Sequence, residues 1–489
     1  MKYKKYTPYP HQLHVLDMSR AHRDIGILHD MGAGKTHSAT LIIRDKCTQE
    51  KRLVRTLILS PLVTLINWAE EIEMHSYIPK HNVHVLSKGG SKGKVNAFTK
   101  FAMNPETMAM NRGQIFITNY ESMNSEMLHK FMMEWRPELI ILDESHMVKN
   151  PKAKRSKAVI KLCDVAKNRV IMTGTPLLNN VSDIFNQFRA MDLGMTYGKN
   201  YHVFMSKYME DENAGFKGKK QYFPKLVPRH DMFDELSTKM YTKCHRVLKK
   251  DVMKDLPPLI RTTRLVELSP EQRKHYKQME RDFITFIEEK EGAGESKAVV
   301  AQLAVTKALR LQQICAGYVT TEDGEEITLD KNPRLDATRD LLQEIVKDNG
   351  HSCILWCSFK HNYGTLGKLC DSLGIAHGFI NGQQNLEQKQ EAMNEFNTGK
   401  TKVIIANRRA GGIGINLVAA SYSIVFSRNF SLGEELQSEA RNYRGGSQIH
   451  EQIVKIDLAA KDTIDEQVME ALTNKNDISK KVVDLIRSK

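Results

Sequence analysis

Two short segments of the chain carry residue types suited to the hydrolysis of a nucleoside triphosphate. The first is MGAGKT (Met31–Thr36), between an apolar stretch and a helix-compatible run, Ser38–Arg44. Its glycines let backbone amides approach phosphate oxygens, Lys35 can neutralise the β- and γ-phosphates, and the Thr36 hydroxyl can bind Mg²⁺. A chance glycine turn is the alternative, and the strand–loop–helix context argues against it. We therefore expect a nucleotide site at Met31, Gly32, Ala33, Gly34, Lys35 and Thr36.

The second segment is ILDESH (Ile141–His146), an apolar run that ends in two carboxylates. Asp143 is suited to hold Mg²⁺ through the water shell of the ion, and Glu144 to orient and deprotonate an attacking water. Alone, an Asp-Glu pair at a strand end usually marks a solvated loop. Beside a phosphate loop, the pair completes what triphosphate hydrolysis requires, so we predict Lys35, Asp143 and Glu144 as catalytic residues.

Short apolar runs that alternate with amphipathic helices must position these groups. Such alternation predicts doubly wound parallel sheets. In the first half, the predicted strands are Ile25–Leu28, Arg55–Ser60, Gln114–Thr118, Leu139–Leu142 and Arg169–Thr173. In the second half, they are Ser352–Cys357, Ala376–Ile380, Lys402–Ile405, Ser423–Phe426 and Ile453–Leu458. We expect an α/β protein with two tandem lobes, each built on such a sheet.

The change in amino-acid composition between the two sets of predicted strands sets the expected domain limits. Residues 1–250 form the first lobe, with a helical insert at about 195–245, and residues 251–489 form the second, with a helical insert at about 270–330. A long helix is predicted over Pro270–Lys290, and a loop over Gly215–Lys220. Leu256–Pro258 is a hinge candidate, because proline restricts its own backbone and that of the residue before it.

Composition excludes several classes of protein. Of 489 residues, 41% are hydrophobic and 27% charged, so wholesale disorder is not expected. No run of 18 apolar residues occurs, and no apolar stretch follows the basic start, which disfavours a membrane span and a secretory signal. Seven scattered cysteines without a CxxC pair indicate a reducing compartment. Lys and Arg number 72 against 58 Asp and Glu, and the net charge of +14 suggests a polyanionic partner.

Several motifs of the chain, taken in order, resemble those of superfamily-two helicases, and within them the Swi/Snf-type DNA translocases. They are MGAGKT, SPLVTLINW (Ser60–Trp68), DESHMVKN (Asp143–Asn150), TGTPLLNN (Thr173–Asn180), RVLKKDVMKDLPP (Arg246–Pro258), RRAGGIGINL (Arg408–Leu417) and QSEARNYRGGSQ (Gln437–Gln448). The resemblance spans about residues 6 to 470. It implies two RecA-like lobes and an ATP-dependent motor that moves on double-stranded DNA and remodels DNA or protein–DNA complexes.

The resemblance also implies roles for particular residues in ATP binding and hydrolysis. Gln12 would contact adenine, and Thr173 and Thr175 would couple the first lobe to the cleft. On the second lobe, Gly412, Gly414 and Gln437 would line the nucleotide. Arg441 and Arg444 would reach the γ-phosphate, where developing charge requires a cation; for either arginine, a surface ion pair is the alternative.

Nucleic-acid contacts are expected across the tops of both lobes, through backbone amides, hydroxyls and cations that suit phosphates. The expected residues are Ser60, Pro61, Asn119, Tyr120, Ser358, Lys360, Arg408 and Arg409. A merely solvated loop is the alternative at each of them. The basic clusters Ser87–Lys94, Pro151–Lys157 and Lys217–Lys220 could extend this path.

The chain departs from the family pattern at several positions. Lys389 stands where an Arg is usual, Asn407-Arg408 where Ser-Thr is usual, and Ser427 where an Asp is usual. None of these changes removes a group that the ATP chemistry needs. They suggest a divergent viral or prokaryotic member. We also expect a monomer in a bacterial or phage-infected host cytoplasm, without membrane contact, that is targeted by a protein partner or by DNA structure itself.

Two other functions compete with the duplex translocase. A strand-separating or branch-migrating helicase would use an aromatic wedge, for which Tyr197, Tyr201, Phe204, Phe216 and Phe223 are candidates, although core packing is the commoner fate of aromatic residues. A scaffold that binds DNA without turning over ATP is disfavoured by the intact Lys35, Asp143, Glu144 and Arg444.

Overall fold

The computed structural model describes residues 7–102, 113–174, 181–211, 226–292, 306, 308–321, 323–408, 415–429 and 431–484. The chain divides into two compact units. The first comprises Met1–Lys254 and the chain from Asp477 onward, and the second comprises Asp255–Asn476. The expected hinge, Leu256–Pro258, begins just after this boundary. In the part of the chain that is described, no helix is both long and apolar enough to cross a bilayer.

The first unit is built on a seven-stranded sheet in which every strand pair is parallel. The strands are β1 (Asp24–His29), β2 (Thr56–Leu59), β3 (Val83–Leu86), β4 (Ile115–Thr118), β5 (Leu139–Asp143), β6 (Asn168–Met172) and β9 (Cys244–Val247). They lie in the order β3-β4-β2-β5-β6-β1-β9. The five strands predicted in this half are confirmed, and β3 and β9 were not foreseen.

Helices cover both faces of this sheet. They are α1 (Pro10–Ala21), α2 (Lys35–Glu50), α3 (Leu65–His75), α4 (Gly90–Ala102), α5 (Glu126–Trp135), α6 (Lys154–Val165) and α7 (Asp183–Asp192). Alternate strand residues enter different cores: Ile58 and Ile141 pack in the cluster that contains Trp68, whereas Leu57 and Ile140 pack in the cluster that contains Phe188. This period of two is what a sheet covered on both sides requires.

The insert expected at about 195–245 is only partly helical. It contains α8 (Tyr201–Tyr208), a two-stranded antiparallel ribbon of β7 (Met209–Asp211) and β8 (Leu226–Pro228), and α9 (Phe233–Tyr241). Its last residues belong to the main sheet, because Cys244 begins β9 and pairs with Gly26 of β1. The polar texture of this stretch hid the strand, which is only four residues long. A short helix, α10 (Lys249–Val252), follows.

The second unit is built on a six-stranded parallel sheet in the order β10-β17-β16-β13-β15-β14. The strands are β10 (Leu259–Val266), β13 (Cys353–Cys357), β14 (His377–Ile380), β15 (Val403–Asn407), β16 (Tyr422–Val425) and β17 (Ile453–Ala460). All five strands predicted here are confirmed. The edge strand β10 was missed because most of it is exposed and LIRTTRLV carries two arginines.

The helices of the second unit follow the expected alternation with strands. They are α11 (Pro270–Gly292), α12 (Pro333–Leu342) with a π-helical turn after it (Gln343–Asp348), α13 (His361–Ser372), α14 (Leu386–Asn397), α15 (Leu432–Glu439) and α16 (Ile464–Asp484). The long helix predicted from Pro270 is confirmed. The insert also contains an antiparallel hairpin of β11 (Tyr318–Thr320) and β12 (Glu326–Thr328).

Candidate nucleotide-binding site

The phosphate loop lies between β1 and α2, as its sequence predicts. Gly34 caps α2 with a left-handed backbone (φ 77°), and a Cβ there would lie 2.3 Å from Nε2 of Gln12. That nitrogen donates to the Gly34 carbonyl at 3.2 Å, and the Gln12 Oε1 accepts from the Tyr9 amide at 2.9 Å. The structure therefore places the expected adenine-contacting residue against the loop expected to hold the phosphates.

Lys35 is the first residue of α2, and its side chain folds back over the loop. Its Nζ donates to the carbonyl oxygens of His29 (3.1 Å) and Asp30 (3.4 Å). Burial lowers the pKa of Lys35, and the nearby carboxylates of Glu144 and Asp143 oppose this shift. A cation that is poorly solvated and held by neutral carbonyls is suited to exchange them for phosphate oxygens.

Asp143 ends β5 and is enclosed by donors from neighbouring segments. Its Oδ2 accepts from Ser60 Oγ at 2.8 Å and from Trp68 Nε1 at 2.9 Å, and its backbone oxygen accepts from Tyr120 Oη at 2.6 Å. Burial raises the pKa of Asp143, as does the charge of Glu144, whereas the bonds from Trp68 and Ser60 lower it. Cation binding beside this carboxylate would favour its ionised form.

Glu144 follows in a left-handed conformation (φ 50°), which is uncommon for a residue with a side chain. Thr173 Oγ1 donates to its Oε2 at 3.4 Å, and His146 Nδ1 lies 3.3 Å from the same oxygen. The turn aims the carboxylate toward the segment after β6. The resemblance assigned Thr173 a coupling role, and the structure gives it a direct contact with the expected base.

Arg246, on the last strand of the sheet, was not identified from the sequence as a site residue. Its guanidinium pairs with Asp30 (2.7 Å) and donates to the carbonyls of Leu28 (2.6 Å) and Gly174 (3.1 Å). Gly174 also packs closely on the phosphate loop, because a Cβ there would lie 2.9 Å from Cγ of Met31. Arg246 thus ties β1, the phosphate loop and the segment after β6 together.

Four histidines gather beside the phosphate loop, and sequence spacing gave no sign of them. His29 Nε2 lies 2.9 Å from His245 Nδ1, His11 Nε2 lies 3.1 Å from the Ala33 oxygen, and His14 packs on His245. Burial, reinforced by the neighbouring histidines, lowers the pKa of His29 to about 2 and that of His245 to about 4. His29 and His245 are therefore neutral at physiological pH.

The expected nucleotide residues of the second unit differ in exposure. Arg441 is 8% exposed, and it donates to the carbonyls of Gln437 (3.0 Å) and Ile415 (3.2 Å). Gln437 itself is buried on α15. Arg444 is half-buried and lies in the turn that follows. Gly412 and Gly414 lie outside the described residues, as does Thr175 of the first unit.

The position of Arg408 differs from the one expected of a DNA contact. It was predicted to present a cation to DNA, but its side chain is 1% exposed and pairs with Glu435 on α15. Lys455 pairs with the same carboxylate, and Arg428 pairs with Asp457 at 2.7 Å. Burial alone would raise the pKa of Glu435, but the charges of Arg408, Lys455 and Arg428 outweigh it and hold this pKa well below its ordinary value. The cluster is internal to the lobe.

Several other expected nucleic-acid contacts also turn inward. Ser60 and Tyr120 are fully buried, and both bond to Asp143 rather than face solvent. The Asn119 amide is engaged by Lys94 Nζ (2.7 Å) and Ser122 Oγ (2.6 Å). The polar side-chain atoms of Ser60 and Tyr120 therefore bond within the lobe, and contact of these residues with nucleic acid, which stays a prediction, would involve their backbone groups.

The remaining expected contacts vary in exposure. Lys360 is exposed at the start of α13, and Ser358 is half-buried with its hydroxyl bonded to the Ser427 carbonyl. Pro61 is buried at the start of a 3₁₀ turn. Arg409 lies outside the described residues.

The candidate wedge aromatics lie in or against the core where they are described. Tyr197 and Phe204 are buried in the larger core cluster of the first unit, and Tyr201 packs against it. Phe216 and Phe223 lie outside the described residues. The described residues therefore supply no exposed wedge from this set.

Two tandem parallel sheets, the first with a phosphate loop and a carboxylate pair at the carboxyl ends of its strands, define a protein with two RecA-like lobes. Residues 11–318 match the family described as the SNF2-related domain, and residues 336–446 match the helicase conserved C-terminal domain. The chain belongs to the SNF2-related family, the Swi/Snf type of superfamily-two helicases. The resemblance read from its motifs is confirmed.

Curated relatives share about a quarter of their residues with the chain. The CHD3-type chromatin-remodeling factor PICKLE of Arabidopsis thaliana is 25% identical over 98% of this chain and 34% of its own length. An uncharacterized ATP-dependent helicase of Mycoplasma genitalium is 26% identical over 94% and 40%. The putative ATP-dependent helicase/translocase YwqA of Bacillus subtilis is 23% identical over 90% and 46%. The chain thus spans less than half the length of these relatives.

A solved structure, the Sulfolobus solfataricus SWI2/SNF2 ATPase core in complex with dsDNA, is 23% identical and aligns over 99% of this chain and 94% of that one with a TM-score of 0.44.

Proposed function

We propose that the protein hydrolyses ATP and uses the energy to move on double-stranded DNA, remodelling DNA or protein–DNA complexes. The observation that carries this proposal is the convergence of Lys35, Asp143 and Glu144 at the carboxyl edge of one sheet, with Thr173 Oγ1 3.4 Å from the Glu144 carboxylate. Strand order places the segments after β5 and β6 beside the phosphate loop after β1. Family membership supports ATP as the nucleotide.

The residues present fit a magnesium ion carried by the nucleotide. Mg²⁺ prefers hard oxygen ligands and is commonly bound through one or two carboxylates together with substrate phosphates. Asp143 and the Thr36 hydroxyl provide such oxygens, whereas no group of three or more potential metal-binding side chains was found among the described residues. Asp143 and Thr36 would hold the ion, which neutralises developing phosphate charge when bound.

The protein's own groups then divide the remaining work. Gln12 would recognise adenine, the amides of Met31–Gly34 and the ammonium of Lys35 would hold the phosphates, and Glu144 would take a proton from the attacking water. Thr173 would orient Glu144 by its hydrogen bond. Arg444 is the candidate arginine that we favour for the γ-phosphate, because it is half-buried whereas Arg441 is only 8% exposed.

For DNA, we propose contacts through the loops that follow β2 and β4 in the first unit and through Lys360 and Arg409 in the second. Buried Ser60 and Tyr120 leave backbone groups of these loops as the donors to phosphate, a mode that positions a duplex without reading its sequence. The net charge of +14 supports a polyanionic track. We also propose that the protein is a cytoplasmic monomer whose targeting comes from a partner or from DNA structure.

Steady-state ATP hydrolysis tests this proposal, measured without nucleic acid and then with single-stranded DNA, linear duplex, a forked or four-way junction, and RNA. We expect linear duplex to stimulate turnover without strand separation. Stimulation by forks or junctions alone would instead favour a branch-migrating helicase. RNA as the sole activator would overturn the DNA assignment.

Variants of the site make the test specific. Glu144→Gln should lower turnover by about 10²–10⁴-fold, as expected for loss of a general base, and Lys35→Ala should abolish it. Lys46→Ala, on the same helix and bonded to the Ser19 carbonyl, is the matched control and should retain turnover. Full activity in Lys35→Ala or Glu144→Gln would refute the assignment of the site.

A further inference from the structure

Three buried donors hold Asp143, and they come from the segments that follow β2 and β4, both of which precede β5 in the sequence. Ser60 and Trp68 belong to the stretch after β2, and Tyr120 belongs to the stretch after β4. We call these three side chains the Asp143 bracket. Ser60 and Trp68 both donate to Oδ2, and Tyr120 donates to the backbone oxygen. Side chain and backbone of one acidic residue are therefore fixed independently.

All three donors of the Asp143 bracket are buried, which distinguishes them from chance contacts at the surface. Ser60 and Tyr120 are 0% exposed and Trp68 is 1% exposed. A buried indole N–H or phenol O–H without a partner is costly, so each donor needs an acceptor inside the lobe. All three find it on Asp143. Ser60 and Trp68 both donate to the same carboxylate oxygen, Oδ2, and so fix the orientation of the carboxylate.

The same two segments carry the first unit's expected DNA contacts. Pro61 follows Ser60 directly and begins the 3₁₀ turn that leads into α3, where Trp68 lies. Asn119 precedes Tyr120, and Lys94 and Ser122 hold its amide. A phosphate bound at either backbone segment therefore lies one or a few residues from a donor to Asp143.

We propose that Trp68, with Ser60 and Tyr120, is a positioning residue for the magnesium-binding carboxylate, and that it links DNA bound at the loops after β2 and β4 to the metal affinity of the ATP site. This inference rests on the proposed function. Trp68 touches neither nucleotide nor DNA; it acts by fixing Asp143. Outer groups that orient a metal-binding side chain commonly change metal affinity about 10–100-fold when removed.

Trp68→Phe tests the bracket, since it removes the N–H donor and keeps an aromatic ring in the core. The matched control is Trp135→Phe, which makes the same change in the other core of this unit, where Trp135 packs on Phe98 and Phe116. The first readout is Mn²⁺ binding with a non-hydrolysable ATP analogue, followed by electron paramagnetic resonance. We expect about a 10-fold loss of Mn²⁺ affinity in Trp68→Phe and no change in the control.

The second readout is the Mg²⁺ concentration for half-maximal ATP turnover, with and without linear duplex. Duplex should lower this concentration in the wild type, and Trp68→Phe should lose the difference while nearly normal turnover returns at high Mg²⁺. A merely structural role would instead lower turnover at every Mg²⁺ concentration. Tyr120→Phe, which removes only a hydroxyl, gives a second and milder arm if Trp68→Phe does not fold.

Two outcomes separate the inference from the function on which it rests. Wild-type metal affinity in folded Trp68→Phe and Tyr120→Phe would overturn the bracket even if ATP hydrolysis is stimulated by DNA. Conversely, if no nucleic acid changes the rate of ATP hydrolysis by the wild-type protein, the proposed function is overturned. The Mn²⁺ measurement would still decide whether the bracket positions Asp143.

Discussion

The expected site residues of the two units are held in contrasting ways. In the first unit, Asp143 ends β5, Glu144 follows it and Lys35 begins α2, and hydrogen bonds with hydroxyl, indole and backbone carbonyl groups orient these three residues. In the second unit, Arg408 is neutralised by Glu435, and Arg441 is bonded to backbone carbonyls. These two motif arginines of the second unit therefore make contacts inside the unit, although their motifs suggested contacts with nucleic acid or nucleotide.

Of the predictions that test this contrast, the one for Arg444 has the largest expected effect. If it is the cation that meets the γ-phosphate, Arg444→Ala should keep ATP binding but lower DNA-stimulated hydrolysis by about 10³-fold or more. Arg339→Ala, an arginine on α12 paired with Asp336, is a matched control in the same unit. Stimulated hydrolysis at the wild-type rate in Arg444→Ala would remove the only catalytic arginine that we assign.

Glu435 tests the contacts inside the second unit. Glu435→Gln would leave Arg408 and Lys455 buried without their shared carboxylate, so we expect a loss of about 3–5 kcal/mol in the free energy of unfolding. Denaturant titration would measure it, with the exposed Glu391→Gln on α14 as the control. A loss below 1 kcal/mol would show that this charge cluster contributes little to the stability of the second unit.

The histidine cluster gives a prediction for the first unit as pH falls. The folded-state pKa values of His29 and His245 lie below the ordinary value of 6.5, so the unfolded chain takes up protons first. Stability should thus decline as pH drops below about 6.5, by about 1.4 kcal/mol per pH unit from His29 alone. His29→Gln should flatten the decline, whereas exposed His202→Gln should not. An identical slope in both variants would contradict this account.

The smallest expected effect concerns DNA. Affinity for duplex should fall steeply with salt, and Lys360→Ala should reduce the slope of log affinity against log salt by about 1, the effect of one lost phosphate contact. Lys368→Ala, exposed on the same helix, is the control. A flat salt response of the wild type would argue against backbone tracking altogether.

The ten strands predicted from apolar runs were all found, because strands buried on both faces read as nearly continuous hydrophobic segments. The strands that were missed are short or exposed: β9 has four residues in a polar stretch, and β10 has a mostly solvent-facing surface. Each of these two strands forms by pairing with a distant strand, β9 with β1 and β10 with β17, and local composition does not record such pairing.

The sequence motifs were sufficient to nominate Lys35 and Glu144, because their proposed roles follow from their own residue types and spacing. The site was not predictable where distant residues converge. Trp68 reads as a core aromatic, and only the proximity of β2 to β5 brings its N–H to Asp143. Likewise Arg408 reads as a surface cation until Glu435, 27 residues away in sequence, is seen to neutralise it.

The left-handed backbone of Glu144 has a consequence for protein engineering. A residue with a side chain in this conformation costs about 1–2 kcal/mol, which glycine would avoid and asparagine would reduce. A search for thermostable variants that scores backbone geometry would therefore select this position early and replace the proposed base. The gain in melting temperature would come with loss of turnover, so position 144 is one to hold fixed in any stability library.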